Sequence, residues 1–225
     1  MVHYIYHHTE LDEIGERIRE AFTGGSSHLQ SAGLDGESFV ELFLGATIDY
    51  ADLCHHNETL GLTTLSEGPV RLVDRASGSS YMRHYSTGTV VLNNDHVEND
   101  IEARQRFTLF HEGSHVLLHS WLLTGEVSRA LEILVDADKD FDARKKCTDR
   151  DAIEEERWHE IQANRLAAAI LMPKSGVILL AQEYEQVDSR SLEKALYPDL
   201  ESKIADVFYV SRTAARHRLD SLGIS

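Results

Sequence analysis

His111-Glu112-Gly113-Ser114-His115 lies inside a run whose residues Phe107, Phe110, Ser114, Leu117, Leu118 and Trp121 recur at helical spacing and form one face. A helix so patterned must bury that face, and here the run also carries two imidazoles. Histidines at i and i+4 stand about 5–6 Å apart on one side of a helix, which suits two ligands to one zinc ion. Glu112 is turned about 100° from His111 by the 3.6-residue period. It therefore stands beside such a metal rather than on it, placed to take a proton from an activated water. Buried histidines also occur as hydrogen-bonded core residues, and the bare pattern is only moderately specific. The flanks decide between the readings. Phe107 to Phe110 and Val116 to Leu118 set the pair inside the molecule, where each ring nitrogen needs a partner.

A catalytic zinc needs a third protein ligand and an open position. Glu160, in His159-Glu160-Ile161-Gln162-Ala163-Asn164, is the best candidate. Asn164 stands one turn further on the same helix face, in position to hydrogen-bond a ligating histidine and fix its tautomer. His159 competes as a ligand, or alternatively donates to the reacting carbonyl. Ala163, Ala167 and Ala168 are small enough to let this helix approach the His111 helix closely.

The rest of the chain reads as helices around a small sheet. Leu11, Ile14, Ile18 and Phe22 predict a helix from Thr9, with Thr9 and Asp12 as a capping box and Gly24-Gly25 as its stop. Residues 24–36 are rich in Gly and Ser and predict a loop. Phe39 through Ile48 predict a second helix from Glu37 to about Leu53. Residues 70–73, 81–85 and 89–92 are β-type runs, most economically one antiparallel sheet, with an edge able to hold an extended peptide. Helical spacing returns after Ile101. It predicts helices to about Leu123, over 127–135, from a Thr148/Asp151 cap to Met172, near 175–186, 189–196 and 199–208, and from a Ser211 cap to Gly223. Residues 136–151, dense in charge, predict an exposed insertion. The fold class is α+β. Residues 1–173 form the main domain, and 174–225 a C-terminal helical region, packed into that domain or apart from it.

Composition narrows the function. Two cysteines, Cys54 and Cys147, exclude a four-cysteine zinc site and a disulfide scaffold. Acidic side chains outnumber basic ones 38 to 22, for a formal charge of −16, which opposes binding to phosphate backbones. The longest apolar run, Leu166 to Met172, falls far short of the roughly 20 residues of a membrane span. His3, His7, His8 and Glu10 occupy the place of a signal peptide's apolar stretch. The expectation is a cytoplasmic protein with no membrane and no direct nucleic-acid partner. Nothing in the pattern sets its oligomeric state.

Two segments resemble a known family. Arg104-Gln105-Arg106-Phe107-Thr108-Leu109-Phe110 leading into the HExxH stretch, and Glu160-Ile161-Gln162-Ala163-Asn164 leading to Leu171-Met172-Pro173, are similar to the paired signatures of the ImmA/IrrE metallopeptidases. Val90 to Asn94 also resembles the run before the first signature. Val207 to Ser211, Arg218-Leu219 and Leu222-Gly223 resemble the family's C-terminal pattern, so the likeness covers about residues 89–223. Gly113-Ser114 and Leu166 depart from it without touching a ligand or the base. The resemblance implies a zincin-like, gluzincin-type peptidase in which His111, His115 and Glu160 bind Zn2+ and Glu112 is the base. It also implies a specific protein substrate, a helix-turn-helix transcriptional repressor or antitoxin-like protein, in which a limited cut is made. Two other functions compete. One is a module of the same fold that captures its partner without cleavage. The other is a DNA-binding regulator using residues 199–222, where Arg212, Arg216 and Arg218 cluster.

Overall fold

The computed structural model describes residues 3–25, 34–53, 59–99, 101–120, 145–147, 152–186 and 199–224. Strand β1 (His3–Ile5) pairs antiparallel with a late strand, Lys145–Cys147. Helix α1 (His8–Thr23) follows, burying Leu11, Ile14 and Ile18 and stopping at Gly24, whose φ of 67° is the left-handed cap expected. Its start differs from the capping box proposed above. Glu10 accepts from the His7 N–H, while Asp12 is buried in an ion pair with Arg218 and so is withdrawn from capping.

The second helix is much shorter than its apolar run suggests. A turn of helix α2 (Gly36–Ser38), capped by Asp35, runs into a π-helical turn over Phe39–Phe43. Gly45 then adopts φ 68° and the chain leaves as strand β2 (Thr47–Ala51). The sheet also differs from the single antiparallel one proposed. Strand β3 (Gly61–Thr63) and the hairpin β4 (Gly68–Val73) and β5 (Ser80–Tyr85) precede β6 (Thr89–Asn93). β6 is buried at every residue and lies between β2, to which it is parallel, and β3, to which it is antiparallel. The β4–β5 hairpin stands as its own two-stranded unit, joined by a bridge from Leu72 to Leu53. A strand apolar on both faces belongs in the middle of a sheet, and Val90-Val91-Leu92 is such a run.

After a short helix α3 (Asn94–Asn99), helix α4 (Glu102–His115) carries the histidine pair and continues as a π-helical turn over Val116–Ser120. The remainder to Leu123, the helix at 127–135, the one at 189–196, the Thr148/Asp151 cap and most of the 136–151 insertion lie outside the described residues, as do residues 26–33 of the Gly/Ser loop. Helix α5 (Ala152–Leu171) crosses both α1 and α4, and Ala163, Ala167 and Ala169 are fully buried in those contacts. Gly113 is explained by packing. A Cβ there would sit 2.8 Å from the ring of Phe39, which stacks on Phe110 at 4.4 Å between centroids. Helix interior propensity is given up for close contact.

The same trade occurs at Gly15 in α1, where a Cβ would meet Ala169 Cβ at 2.5 Å. Gly15→Ala gains about 1 kcal/mol of helix propensity, yet overpacking costs about 1–3 kcal/mol. The variant is expected to unfold at lower urea than wild type. A raised midpoint would mean that the α1–α5 contact has room to spare.

Helices α6 (Lys174–Gln186), α7 (Leu200–Phe208) and α8 (Arg212–Leu222) complete the core, where Val177, Ile204, Phe208 and Leu219 join one cluster with Leu11, Phe110 and Ile170. Ser211 and Gly223 cap α8 as expected, Ser211 Oγ accepting from Ala214 N at 3.1 Å. Its arginines face carboxylates of the same chain. Arg212 meets Asp199 at 2.7 Å, Arg216 meets Glu201 at 2.8 Å and buried Arg218 meets Asp12 at 2.5 Å. Among the described residues no single helix is long and apolar enough to cross a membrane.

Candidate metal centre and active site

Helix α4 presents His111 and His115 one turn apart, and α5, held close by its alanines, brings Glu160 to them. The His111 and His115 Nε2 atoms are 3.2 Å apart. Glu160 Oε2 lies 3.3 Å from the first and Oε1 3.2 Å from the second. These three form a His/His/carboxylate group able to hold one cation. The fit is quantitative. Ligands at about 2.0–2.2 Å around a tetrahedral ion stand about 3.3–3.5 Å from one another, and the donor set of two imidazoles and a carboxylate suits a first-row ion such as zinc. The charges agree with the geometry. Hydrogen bonds to His111 and His115 hold the Glu160 carboxyl far below its usual range. Burial works against a charge on His111, but the bond to Glu160 and the charges of Glu112 and Glu160 outweigh it and raise its pKa.

Glu112 is buried on the flank of this group and outside it. Burial raises its pKa, against the opposing charges of His111 and His115 and a bond from Thr63. The Thr63 hydroxyl lies 2.7 Å from Glu112 Oε2 and 3.0 Å from the Glu112 carbonyl oxygen, its one hydrogen serving this pair of acceptors. Gly61 makes the approach possible, since a Cβ there would meet Glu112 Cγ and Oε1 at 2.9 Å. Both residues belong to β3, an edge of the three-stranded sheet. This corrects the expectation that 70–73, 81–85 or 89–92 supplies the edge beside the site. The segment from Thr59 to Thr63 lines a cavity of about 670 Å³ that opens onto the triad, Glu112, His159 and Asn164.

Asn164 reaches the cavity wall, and its amide is among the groups favouring a charged His111 ring, yet His111 Nδ1 is buried with no hydrogen-bond partner. The expected hydrogen bond from Asn164 thus acts on the His111 ring, although no partner stands at close hydrogen-bond distance from His111 Nδ1. His159 stays off the His111–His115–Glu160 group. Its ring packs on His119 with centroids 4.1 Å apart. His119 itself went unread in the sequence. It repeats the four-residue step from His111 and His115, and its Nδ1 lies 3.1 Å from His115 Nδ1, which turns the His115 Nε2 towards the group. Thr63 and Gly61 carried no comparable signal.

Paired helical histidines, a carboxylate from a second helix and a buried glutamate alongside form a candidate metal centre with an acid–base group beside it. The model of the IrrE N-terminal-like domain, peptidase family M78, matches residues 71–220, and the chain belongs to that family. No curated protein matches the chain.

If His111, His115 and Glu160 are the ligands, His115→Ala is expected to lose most of the single metal equivalent measured by elemental analysis. His159→Ala is expected to keep it. Retention of metal by Glu160→Ala together with loss by His159→Ala would reassign the third ligand.

Proposed function

We propose that this chain is a zinc-dependent endopeptidase that makes a limited cut in one regulatory protein, a helix-turn-helix repressor or an antitoxin-like protein. The observation that carries hydrolysis is the position of Glu112: buried, bonded to Thr63 and beside the ligand group without joining it. A structural metal site has no use for such a base. Bound zinc supplies Lewis acidity to the scissile carbonyl and acidity to a water. Glu112 then accepts the water's proton and returns it to the leaving amine. Thr63 holds the carboxylate in place, and the edge of β3 offers backbone groups to an extended peptide by strand addition. His159 lines the cavity and is the residue we assign as donor to the developing oxyanion. The partner class rests on the family resemblance.

Backbone pairing reads little sequence, so selectivity has to come from surfaces around the cleft. The test is to incubate the zinc-loaded protein with the product of its neighbouring gene, and separately with casein, and read fragments by mass spectrometry. One cut in the partner and slow or absent casein cleavage are expected. Digestion of casein at many sites would indicate a general degradative peptidase. A stable complex with an uncut partner would favour the capture module.

A further inference from the structure

The cleft does not end at the metal group. A second cavity of about 600 Å³ adjoins it and shares Leu60, Phe107, Thr108 and Asn164 as a common wall. Three helices line it. Helix α4 gives Ala103 and Phe107, α5 gives Ile161 and Ala168, and α8 gives Ala214. The three alanines are half-buried and end in a methyl, so the hollow stays open where longer side chains would close it. Ile161, 37% exposed, is a large apolar side chain left in water on this wall.

Several polar side chains of the same wall are spent on the chain itself. Thr108 Oγ1 donates to the Arg104 carbonyl at 3.1 Å, and Ser221 Oγ to the Arg218 carbonyl at 2.8 Å. Ser211 Oγ accepts the Ala214 N–H as the cap of α8. Arg218 is held by Asp12 and the Met172 carbonyl. What the hollow offers a ligand is therefore mainly apolar surface, and covering such surface is favourable roughly in proportion to its area. The occupant follows from position. Leu60 immediately precedes β3 and borders both cavities, so a peptide laid on the β3 edge beside the metal group runs along the hollow as well. Its side chains alternate in direction, and those on one side meet the shared wall.

Resting on the peptidase reading above, we propose that this cavity is a substrate subsite for one large apolar side chain (Leu, Met or Phe) at a fixed offset from the scissile bond, with α8 as one of its walls. Ala214 then limits how large that side chain can be, and the C-terminal helices take part in choosing the substrate as well as in filling the core. The subsite supplies the side-chain reading that backbone pairing lacks.

The experiment uses the full-length zinc-loaded chain and end-blocked peptides randomised at each position in turn, with cut sites read by mass spectrometry. One position at a constant offset from the cut is expected to favour Leu, Met or Phe over Ala by at least about tenfold. In Ala214→Leu that position is expected to turn to Ala or Val while the others keep their preferences. Asp220→Leu adds similar bulk to α8 outside the cavity and is expected to change nothing. In a second arm, Glu112→Gln protein is irradiated with peptides carrying a photoreactive diazirine analogue of leucine at successive positions. Cross-links to residues 103–108, 161–168 or 213–217 are expected. Equal cleavage of Leu and Ala peptides at every position would overturn the proposal in wild type alone. So would the absence of cross-links to those segments, or an unchanged preference in Ala214→Leu with a native circular dichroism spectrum. Cross-linking there by a protein that cleaves no peptide would leave the apolar site and remove the peptidase reading. Cleavage without side-chain preference would do the reverse.

Discussion

Glu112→Gln is expected to keep its full metal content and to lose about 10²- to 10⁴-fold in the rate of peptide cleavage, the usual worth of a positioned general base. The substitution keeps the side chain's shape and leaves His111, His115 and Glu160 untouched. The amide oxygen of Gln can still accept from Thr63 as Glu112 Oε2 does at 2.7 Å, so the local packing against Gly61 has no reason to move. What disappears is the proton acceptor. Metal content by elemental analysis and initial cleavage rates of the same preparation separate the two effects. An undiminished rate would remove Glu112 from the chemistry, and loss of metal would make it a ligand.

The elements of this site were unequally visible in the sequence. His111 and His115 could be read because a helix projects residues four apart onto one side whatever surrounds it. Glu160 could be placed because Ala163 and Ala167 mark the face of α5 that approaches α4, and both are fully buried there. Gly61 and Thr63 could not. β3 is three residues long, too short to show an alternating pattern, and its role follows from pairing with β6, whose register is a long-range property. The misread second helix has a related cause. Ile48 and Ala51 keep helical spacing while Ala51 and Leu53 keep strand spacing, so the run alone does not separate the two, and Gly45 at φ 68° ends the helical stretch before them. Nor does composition show which arginines of the last helix are spent inside the molecule. Arg212 and Arg216 remain at the surface beside their carboxylates, whereas Arg218 is 1% exposed and its partner Asp12 is 206 positions away.

That last pair yields the largest expected effect on stability. Arg218 Nη1 meets Asp12 Oδ1 at 2.5 Å, and Arg218 Nε donates to the Met172 carbonyl at 2.9 Å, near the end of α5. Arg19 serves the neighbouring carbonyls of Ile170 and Leu171, so two arginines satisfy the carbonyls that a helix end leaves open. Arg218→Met would leave Asp12, itself 5% exposed, as a buried carboxylate without its counter-ion. Breaking a buried pair from one side costs about 3–5 kcal/mol, a large share of the roughly 5–15 kcal/mol that holds a domain folded. Asp12→Leu should cost a similar amount by stranding the guanidinium. The double variant Asp12→Leu/Arg218→Met removes both charges and fills much of their space, so it should recover most of the loss. Urea unfolding of the three proteins, followed by circular dichroism, gives the coupling energy directly. Single variants within about 1 kcal/mol of wild type would show that water reaches the pair. Additive losses in the double variant would show instead that the stability lies in the Met172 contact and side-chain packing rather than in the ion pair.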